Sequence, residues 1–405
     1  MEPPAALLSL ADADGPIGVA ISGGSDSTAL LMLAIAALGP ARLRAATVDH
    51  QLRPAAADEA KSVARLCARH GVAHEILHWQ APDLSGNLQS KARDARYALL
   101  ADWARAQGCA TVLLGHTQDD QAETVLMQMA RSAGLSGLSA MNGRVVRHGV
   151  TFVRPLLDTP RDALRDWLRD LGICWSDDPT NADARYTRVR TRAALKHLAP
   201  LGLDAAALSS MAARLRRTDD GVRQLLADWA QAHTRVVAGD IVLDAAALSR
   251  LHPDMARRVL GAAITFVTGA PYPPRGRDTL RLLGGLSHPQ TLQGCILYPL
   301  GDTICIGREP SHAARSEPIP PGQVWDGRWR LDRPLPDGAH VAACGPEGLA
   351  QHPDWRALGH PRLRLLSAPA IWRESRLIAL PIDPKDTSWT ATFCRDDFPH
   401  WLLSH

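Results

Sequence analysis

The sequence predicts an α/β fold: a parallel sheet flanked by helices, followed by a helical middle domain and a small α+β C-terminal domain. Three observations carry this. Over residues 16–130, short apolar runs alternate with helical stretches, as in a sheet covered on both faces. Residues 205–270 are Ala-rich and read as helical. Residues 322–405 hold short β-like runs, turns and clustered tryptophans.

Taken in order, residues 16–21 are the first strand, running into Ser22-Gly23-Gly24-Ser25-Asp26-Ser27 and an Ala/Leu-rich helix over 28–38. Residues 44–48 form a second strand, ending at Asp49-His50. In 58–70, Val63, Leu66 and Cys67 follow i, i+3, i+4 spacing, which is helical. Residues 74–77 are a third strand. In the helix 91–107, Ala95, Leu99 and Trp103 recur every four residues. The run 111–114 precedes Gly115-His116, and 120–130 is helical, with Asp119 as its expected cap. Thr159-Pro160 reads as a cap followed by proline at the first helical position, and that helix stops at Gly172. Residues 175–183 are loop-like, and 188–198 form a basic helix. Helical stretches are expected at 205–215, 222–233 and 254–267. The expected domains are 1–200, 201–308 and 322–405, with a Pro-rich linker over 309–321.

The 405 residues are 46% hydrophobic and 21% charged, which excludes a wholly disordered or collagen-like chain. The longest apolar run, 29–38, is too short to cross a membrane, and no basic residue precedes Arg42, as a signal peptide would require. A cytoplasmic protein with no membrane partner is expected. Seven scattered cysteines without a CxxC pair read as reduced thiols and argue against a zinc ribbon or an iron–sulfur cluster. A net charge of +3 predicts no partner, but its distribution does: residues 185–217 carry eight basic side chains against one acid, Asp204. Lysine is scarce and arginine suits phosphate.

The chemistry concentrates at strand ends, where ligands of such sheets lie. Ser22, Gly23, Gly24, Ser25, Asp26 and Ser27 join a strand to a helix. Two glycines allow a tight turn, and the helix N-terminus offers free N–H groups, together a phosphate cradle. No Gly-Lys-Ser/Thr follows, so it is not a Walker A loop. Asp26 would repel phosphate unless it meets Mg²⁺ or an amine. Asp120 and Glu123, at i and i+3, can face one way and hold an ammonium or a metal. The plainer alternatives are a Gly-rich turn with capping serines and acids that merely favour a helix dipole.

The loop resembles the SGGxDS pyrophosphate loop of the N-type ATP pyrophosphatases (PP-loop superfamily), whose sheet domain is adenine nucleotide α-hydrolase-like. Residues 115–124, Gly-His-Thr-Gln-Asp-Asp-Gln-Ala-Glu-Thr, resemble the GHHxDDQAET pattern of the tRNA(Ile)-lysidine synthetase family, and the likeness continues through 131–138. Residues 48–53 resemble its V-D-H-x-L-R. Asn87, Gln89, Ala92, Arg93, Arg96 and Tyr97 resemble its N-x-Q…A-R-x-x-R-Y. Residues 154–157 resemble its R-P-L-L, and 175–181 its W-x-x-D-x-x-N. Departures are Thr117 in a histidine pair, and Val189 and Thr191 within R-N-x-[IV]-R. The motifs cover residues 16–200; Val324-Trp325-Asp326-Gly327-Arg328 and 368–372 are similar to the end domain of longer members.

The resemblance implies a ligase that forms a C–N bond. ATP and Mg²⁺ adenylate the C2 oxygen of the wobble cytidine of CAU-anticodon tRNA(Ile), and the side-chain amine of free L-lysine displaces AMP. It assigns ATP to Ser22–Ser27, the lysine ammonium to Asp120 and Glu123, and a metal or amine contact to Asp26. Arg96 would stabilise the adenylate or position the base, and His116 would contact ATP or relay a proton. Arg185, Arg188, Arg190, Arg192 and Lys196 would hold tRNA phosphates, extended by Arg214, Arg216 and Arg217. Trp329 and Trp355 are candidates for base stacking, although tryptophans in a small domain more often pack in its core. The oligomeric state stays open, a homodimer included. Competing readings are a 2-thiocytidine synthase type of tRNA thiolase, which needs paired cysteines or an iron–sulfur cluster, an amidotransferase-type synthetase, and a non-catalytic RNA-binding protein.

Overall fold

Alternating β-branched runs and amphipathic helices fold as a doubly covered sheet. The computed structural model describes residues 1–49, 56–79, 88–176, 185, 187–270, 272–319, 323–385, 388–395 and 397–404, and the side chains of 56, 57 and 88–90 are not described. The motif residues 50–53, 87 and 177–181 lie outside the described residues, as does the side chain of Gln89. The chain divides into two compact units, Met1–Asp219 and Asp220–His405.

The first unit contains α1 (Ala5–Leu8), β1 (Ile17–Ala20), α2 (Ser25–Leu38), β2 (Leu43–Asp49), α3 (Ala56–Arg69), β3 (Ala73–His78), α4 (Leu88–Ala106) and β4 (Thr111–Leu114). It continues with α5 (Gln118–Met129), α6 (Leu135–Leu138), β5 (Arg144–Arg147), β6 (Val150–Val153), α7 (Arg161–Asp170), α8 (Thr187–Leu198) and most of α9 (Ala205–His233). The six strands run in the order β3-β2-β1-β4-β6-β5, all parallel except edge strand β5. Ile17 of β1 stands opposite Leu43 of β2 and Thr111 of β4. The chain therefore leaves β1 toward β2 on one side and returns through β4 on the other. That reversal opens a crevice at the carboxyl ends of β1 and β4.

One face of the sheet buries Leu30, Leu31 and Leu33 of α2 with Leu164 and Leu168 of α7. The opposite face buries Tyr97, Leu100 and Trp103 of α4 against Val112 and Phe152. The buried stripe of α4 runs through Tyr97, Leu100, Ala101 and Ala104, while Ala95 and Leu99 stay half-exposed. A strict repeat of four drifts around a helix of 3.6 residues per turn, so alternating steps of three and four keep to one face. No helix among the described residues is long and apolar enough to cross a membrane.

The second unit holds β7 (Thr234–Val237), β8 (Asp240–Asp244), α10 (Ala245–Arg250), α11 (Pro253–Thr268), α12 (Gly276–Leu283), β9 (Gln290–Leu292), β10 (Cys295–Leu300), β11 (Thr303–Arg308) and α13 (Pro310–Ala313). After these come β12 (Trp329–Leu331), β13 (Ala339–Ala343), α14 (Gly345–Gln351), α15 (Arg362–Leu366), β14 (Pro369–Arg373), β15 (Arg376–Ala379), β16 (Ala391–Phe393) and α16 (Phe398–Ser404). Its main sheet runs β7-β8-β11-β10-β9, with smaller sheets β12-β16 and β13-β14-β15. The stretch 205–270, expected to be helical, is interrupted by the β7–β8 hairpin. Ala238 and Gly239 both have positive φ, 48° and 80°, the requirement of a two-residue turn that matches strand twist. Trp329 is 4% exposed and packs edge-on to Phe393, so core packing replaces the base-stacking role considered for it.

Candidate active site

The loop after β1 is shaped by its serines and glycines. Gly23 has φ +90°, a left-handed conformation that favours glycine. Gly24 is the N-cap of α2 and supplies no side-chain cap, so first-turn N–H groups face the loop. Ser27 Oγ donates to the Gly24 carbonyl (3.1 Å) and accepts from the Ser22 N–H (3.2 Å), closing the turn on itself. Ser25 Oγ donates to Asp26 Oδ1 (2.9 Å) and accepts from Arg165 Nε (3.2 Å). A Cβ at position 115 would lie 2.9 Å from Ser27 Cα, so glycine there lets the end of β4 touch the loop.

From β4 the chain turns directly into α5. Thr117 is the N-cap, and its N–H and hydroxyl both donate to Asp120 Oδ2 (2.9 and 3.1 Å), a capping box. The expected cap, Asp119, serves another helix: its Oδ2 accepts the backbone N–H of Arg161 at 2.8 Å. Pro160 is the N-cap of α7 and Arg161 the first helical residue, rather than Thr159 and Pro160. Proline has no side-chain acceptor, so α5 supplies the missing cap in trans.

Arg161 is the centre of the site and was not among the expected site residues. Its Nε donates to Asp26 Oδ2 (2.8 Å), its Nη2 lies 3.1 Å from Asp120 Oδ1, and its Nη1 lies 3.4 Å from Glu123 Oε1. Asp26, Asp120 and Glu123, the three acids read from sequence as a cation site, do converge, and the cation they surround is an arginine. Arg192, expected on tRNA, gives its Nε to Glu123 Oε1 at 2.8 Å. Glu123 is fully buried and its Oε2 has no partner. Burial alone would raise Asp120, but Arg161, then His116 and the Thr117 N–H, outweigh it and hold the carboxyl below its usual range. Burial likewise opposes the charge on Arg161, and the three acids overcome it and hold the guanidinium above its usual range. A sequence signal for Arg161 did exist: a cation at the first position of a helix opposes the dipole and calls for a nearby acid.

His116 closes β4. Burial, helped by Arg154, Arg96 and Arg188, pushes it down to about 3 against the pull of Asp120, so the ring is neutral at neutral pH. Arg96, mostly buried on α4, is lowered first by its burial and then by Arg93, Arg154 and Arg188. Of the remaining expected tRNA contacts, Arg185, Arg190 and Lys196 are exposed, and Arg188 is half-buried toward Arg96. Among the described residues, no group of three His, Cys, Asp or Glu could cage a metal.

A PP-loop domain family matches residues 6–199, which takes in the loop, the three acids and both arginines that pair with them. A tRNA(Ile)-lysidine synthase from Ruegeria pomeroyi is 42% identical over 400 residues, covering 96% of this chain and 94% of that protein. Its namesake from Methylobacterium nodulans is 43% identical over 317 residues, covering 75% and 93% respectively. That from Hyphomonas neptunium is 38% identical over 322 residues, covering 76% and 84%. A PP-loop domain match that takes in this turn and the converging acids, together with identity sustained along almost the whole length, makes this chain a member of the tRNA(Ile)-lysidine synthase family.

Proposed function

We propose that the protein is a tRNA(Ile)-lysidine synthase that joins the side-chain amine of free L-lysine to C2 of the wobble cytidine of CAU-anticodon tRNA(Ile), driven by ATP. The observation that carries this is the meeting of Asp26, on the phosphate loop, with Asp120 and Glu123 of α5 around one cation. An anion cradle and a cation cradle share a wall, which suits a reaction that brings a triphosphate and an ammonium to one base.

The residues divide the work as follows. The free N–H groups of α2, with Ser22, Ser25 and Ser27, bind the pyrophosphate portion of ATP. The cytidine C2 oxygen attacks the α-phosphorus, and the bond to the β-phosphate bridging oxygen breaks as pyrophosphate leaves into the loop. The lysine amine, having released a proton, then attacks C2. The C2–O bond breaks, AMP departs with that oxygen, and a second N–H proton is lost. Three carboxylates against Arg161 and Arg192 leave one negative charge, the complement of a single ammonium. Asp120 and Glu123 hold the amine in place before it attacks. His116 offers an uncharged ring beside the loop, which leaves the local field to the arginines. Asp26 fits Mg²⁺, which takes one or two carboxylates from a protein and its other ligands from phosphate and water. When bound, Mg²⁺ neutralises charge on the departing pyrophosphate. Arg185, Arg190 and Lys196 face solvent and serve the tRNA backbone.

The test is lysine incorporation. Protein, ATP, Mg²⁺ and radiolabelled lysine are incubated with unmodified CAU-anticodon tRNA(Ile) or with CAU-anticodon tRNA(Met). Label on tRNA(Ile) alone, lost in Asp120→Ala, is the expected result. No label on either tRNA, with ATP still bound, overturns the proposal.

A further inference from the structure

A second cluster of charge lies beside the β4 terminus, on the α4 side of the sheet rather than the α2 side. Arg154, at the end of β6, is 7% exposed. Its Nη2 donates to the Tyr97 hydroxyl (3.0 Å) and its Nη1 to the Asn142 carbonyl (2.5 Å), while its buried Nε–H has no partner. His116 Nδ1 is also buried without a partner. Arg93 lies 5.6 Å from the Tyr97 ring centre. Arg96 from α4 and Arg188 from the first turn of α8 complete the group. Burial would raise the Tyr97 phenol, but Arg154, Arg93 and Arg96 outweigh it and bring it below its usual value.

None of Arg93, Arg96, Arg154 and Arg188 pairs with a carboxylate among the described residues. Asp120, the acid that faces His116, is engaged by Arg161 and Thr117. Like charges gathered from three separate elements repel one another, and an unpaired buried N–H is costly. Such an arrangement is relieved by an anion. Guanidinium forks and a phenol match a tetrahedral oxyanion with several acceptors.

We propose that Arg93, Arg96, Arg154 and Arg188, with Tyr97 and His116, form a second phosphate site distinct from the Ser22–Ser27 loop. Its ligand is a phosphate group beside the reacting base. That group is either the RNA phosphodiester next to the target nucleotide or the α-phosphate of the nucleotide. The choice of ligands rests on the RNA-modifying function proposed above. The orphaned Arg154 Nε is its deepest donor, and Arg93 and Arg188 close it from the surface.

The full chain is titrated with a CAU anticodon stem–loop RNA at several salt concentrations, and separately with ATP. The variants are Arg93→Gln and Arg188→Gln at the rim, and Arg154→Lys within, with circular dichroism as a check on folding. With the RNA phosphate as ligand, the rim variants weaken RNA binding about tenfold, lower the salt slope by about one per arginine, and leave ATP affinity unchanged. A methylphosphonate beside the wobble nucleotide then weakens wild type to the same degree and has no further effect on Arg188→Gln. With the nucleotide phosphate as ligand, ATP affinity falls and the RNA salt slope stays. If both affinities remain within roughly twofold of wild type in the two rim variants, there is no such site. Lysine incorporation by wild type is measured in parallel. Variants that lose phosphate binding while wild type transfers no lysine would sink the lysidine function and leave the site standing.

Discussion

Arg161 touches acids from two elements, and its removal separates two roles. Arg161→Gln leaves Asp26, Asp120 and Glu123 without their shared cation, and breaking such a buried pair costs about 3–5 kcal/mol. We expect a lower denaturation midpoint in urea, restored in part by millimolar lysine if its ammonium binds the same acids. A midpoint indifferent to lysine would mean that the acids serve structure alone. His116 makes a prediction in pH. Its folded value is about 3 against 6.5 for an ordinary histidine, so the unfolded chain takes up the proton first as pH falls. Stability from this group is full above about pH 6.5 and is lost progressively from there toward pH 3. Between about pH 7 and 4, the urea midpoint of His116→Gln should fall less steeply than that of wild type; parallel slopes would refute a neutral buried imidazole. The acids were legible in the sequence because their spacing repeats a helical turn. Arg161 signalled only that it needs some acid; which acids could not be read, because they lie 135, 41 and 38 positions away and only the fold brings them together.

Among elements, strand ends were the most legible part. The 111–114 run is a strand at those very residues, and the loop, the α5 start and β1 emerge together at the reversal of strand order. Caps were harder to read, since Asp119 had two helices to choose between and its bond to α7 crosses 42 positions. The α5 cap predicts a graded series. Thr117→Ser keeps the hydroxyl that pairs with Asp120 and should be near neutral, whereas Thr117→Ala should lower stability by about 1 kcal/mol, read as a shift in melting temperature. Equal loss in both would place the effect in the methyl group instead. The β7–β8 hairpin escaped notice inside Ala-rich sequence because its signal is a pair of backbone angles at Ala238 and Gly239, not a composition. Gly239→Ala places a Cβ 2.6 Å from Trp329 Cζ2 at positive φ, so a destabilisation of about 1–3 kcal/mol is expected in the same melting assay.

At the scale of the molecule, charge is the property most visible in sequence and most redistributed by folding. The run of basic residues after 185 read as a cluster that would hold tRNA phosphates. The fold sorts it: Arg192 turns to Glu123, Arg188 toward Arg96, and Arg185, Arg190 and Lys196 remain exposed. Arg190→Gln and Lys196→Gln should each lower the salt slope of tRNA binding by about one and spare ATP binding; an unchanged slope would remove that helix from the interface. The division into compact units falls within the continuous helix α9, and helical periodicity carries no mark of such a point. The bond from Asp119 to the Arg161 amide has a consequence in time. The first amides of a helix usually exchange with solvent freely. This one is held by a side chain of the neighbouring helix, so its deuterium uptake is slow as long as α5 and α7 stay joined. The exchange rate at that single amide is therefore a clock for the parting of α5 from α7.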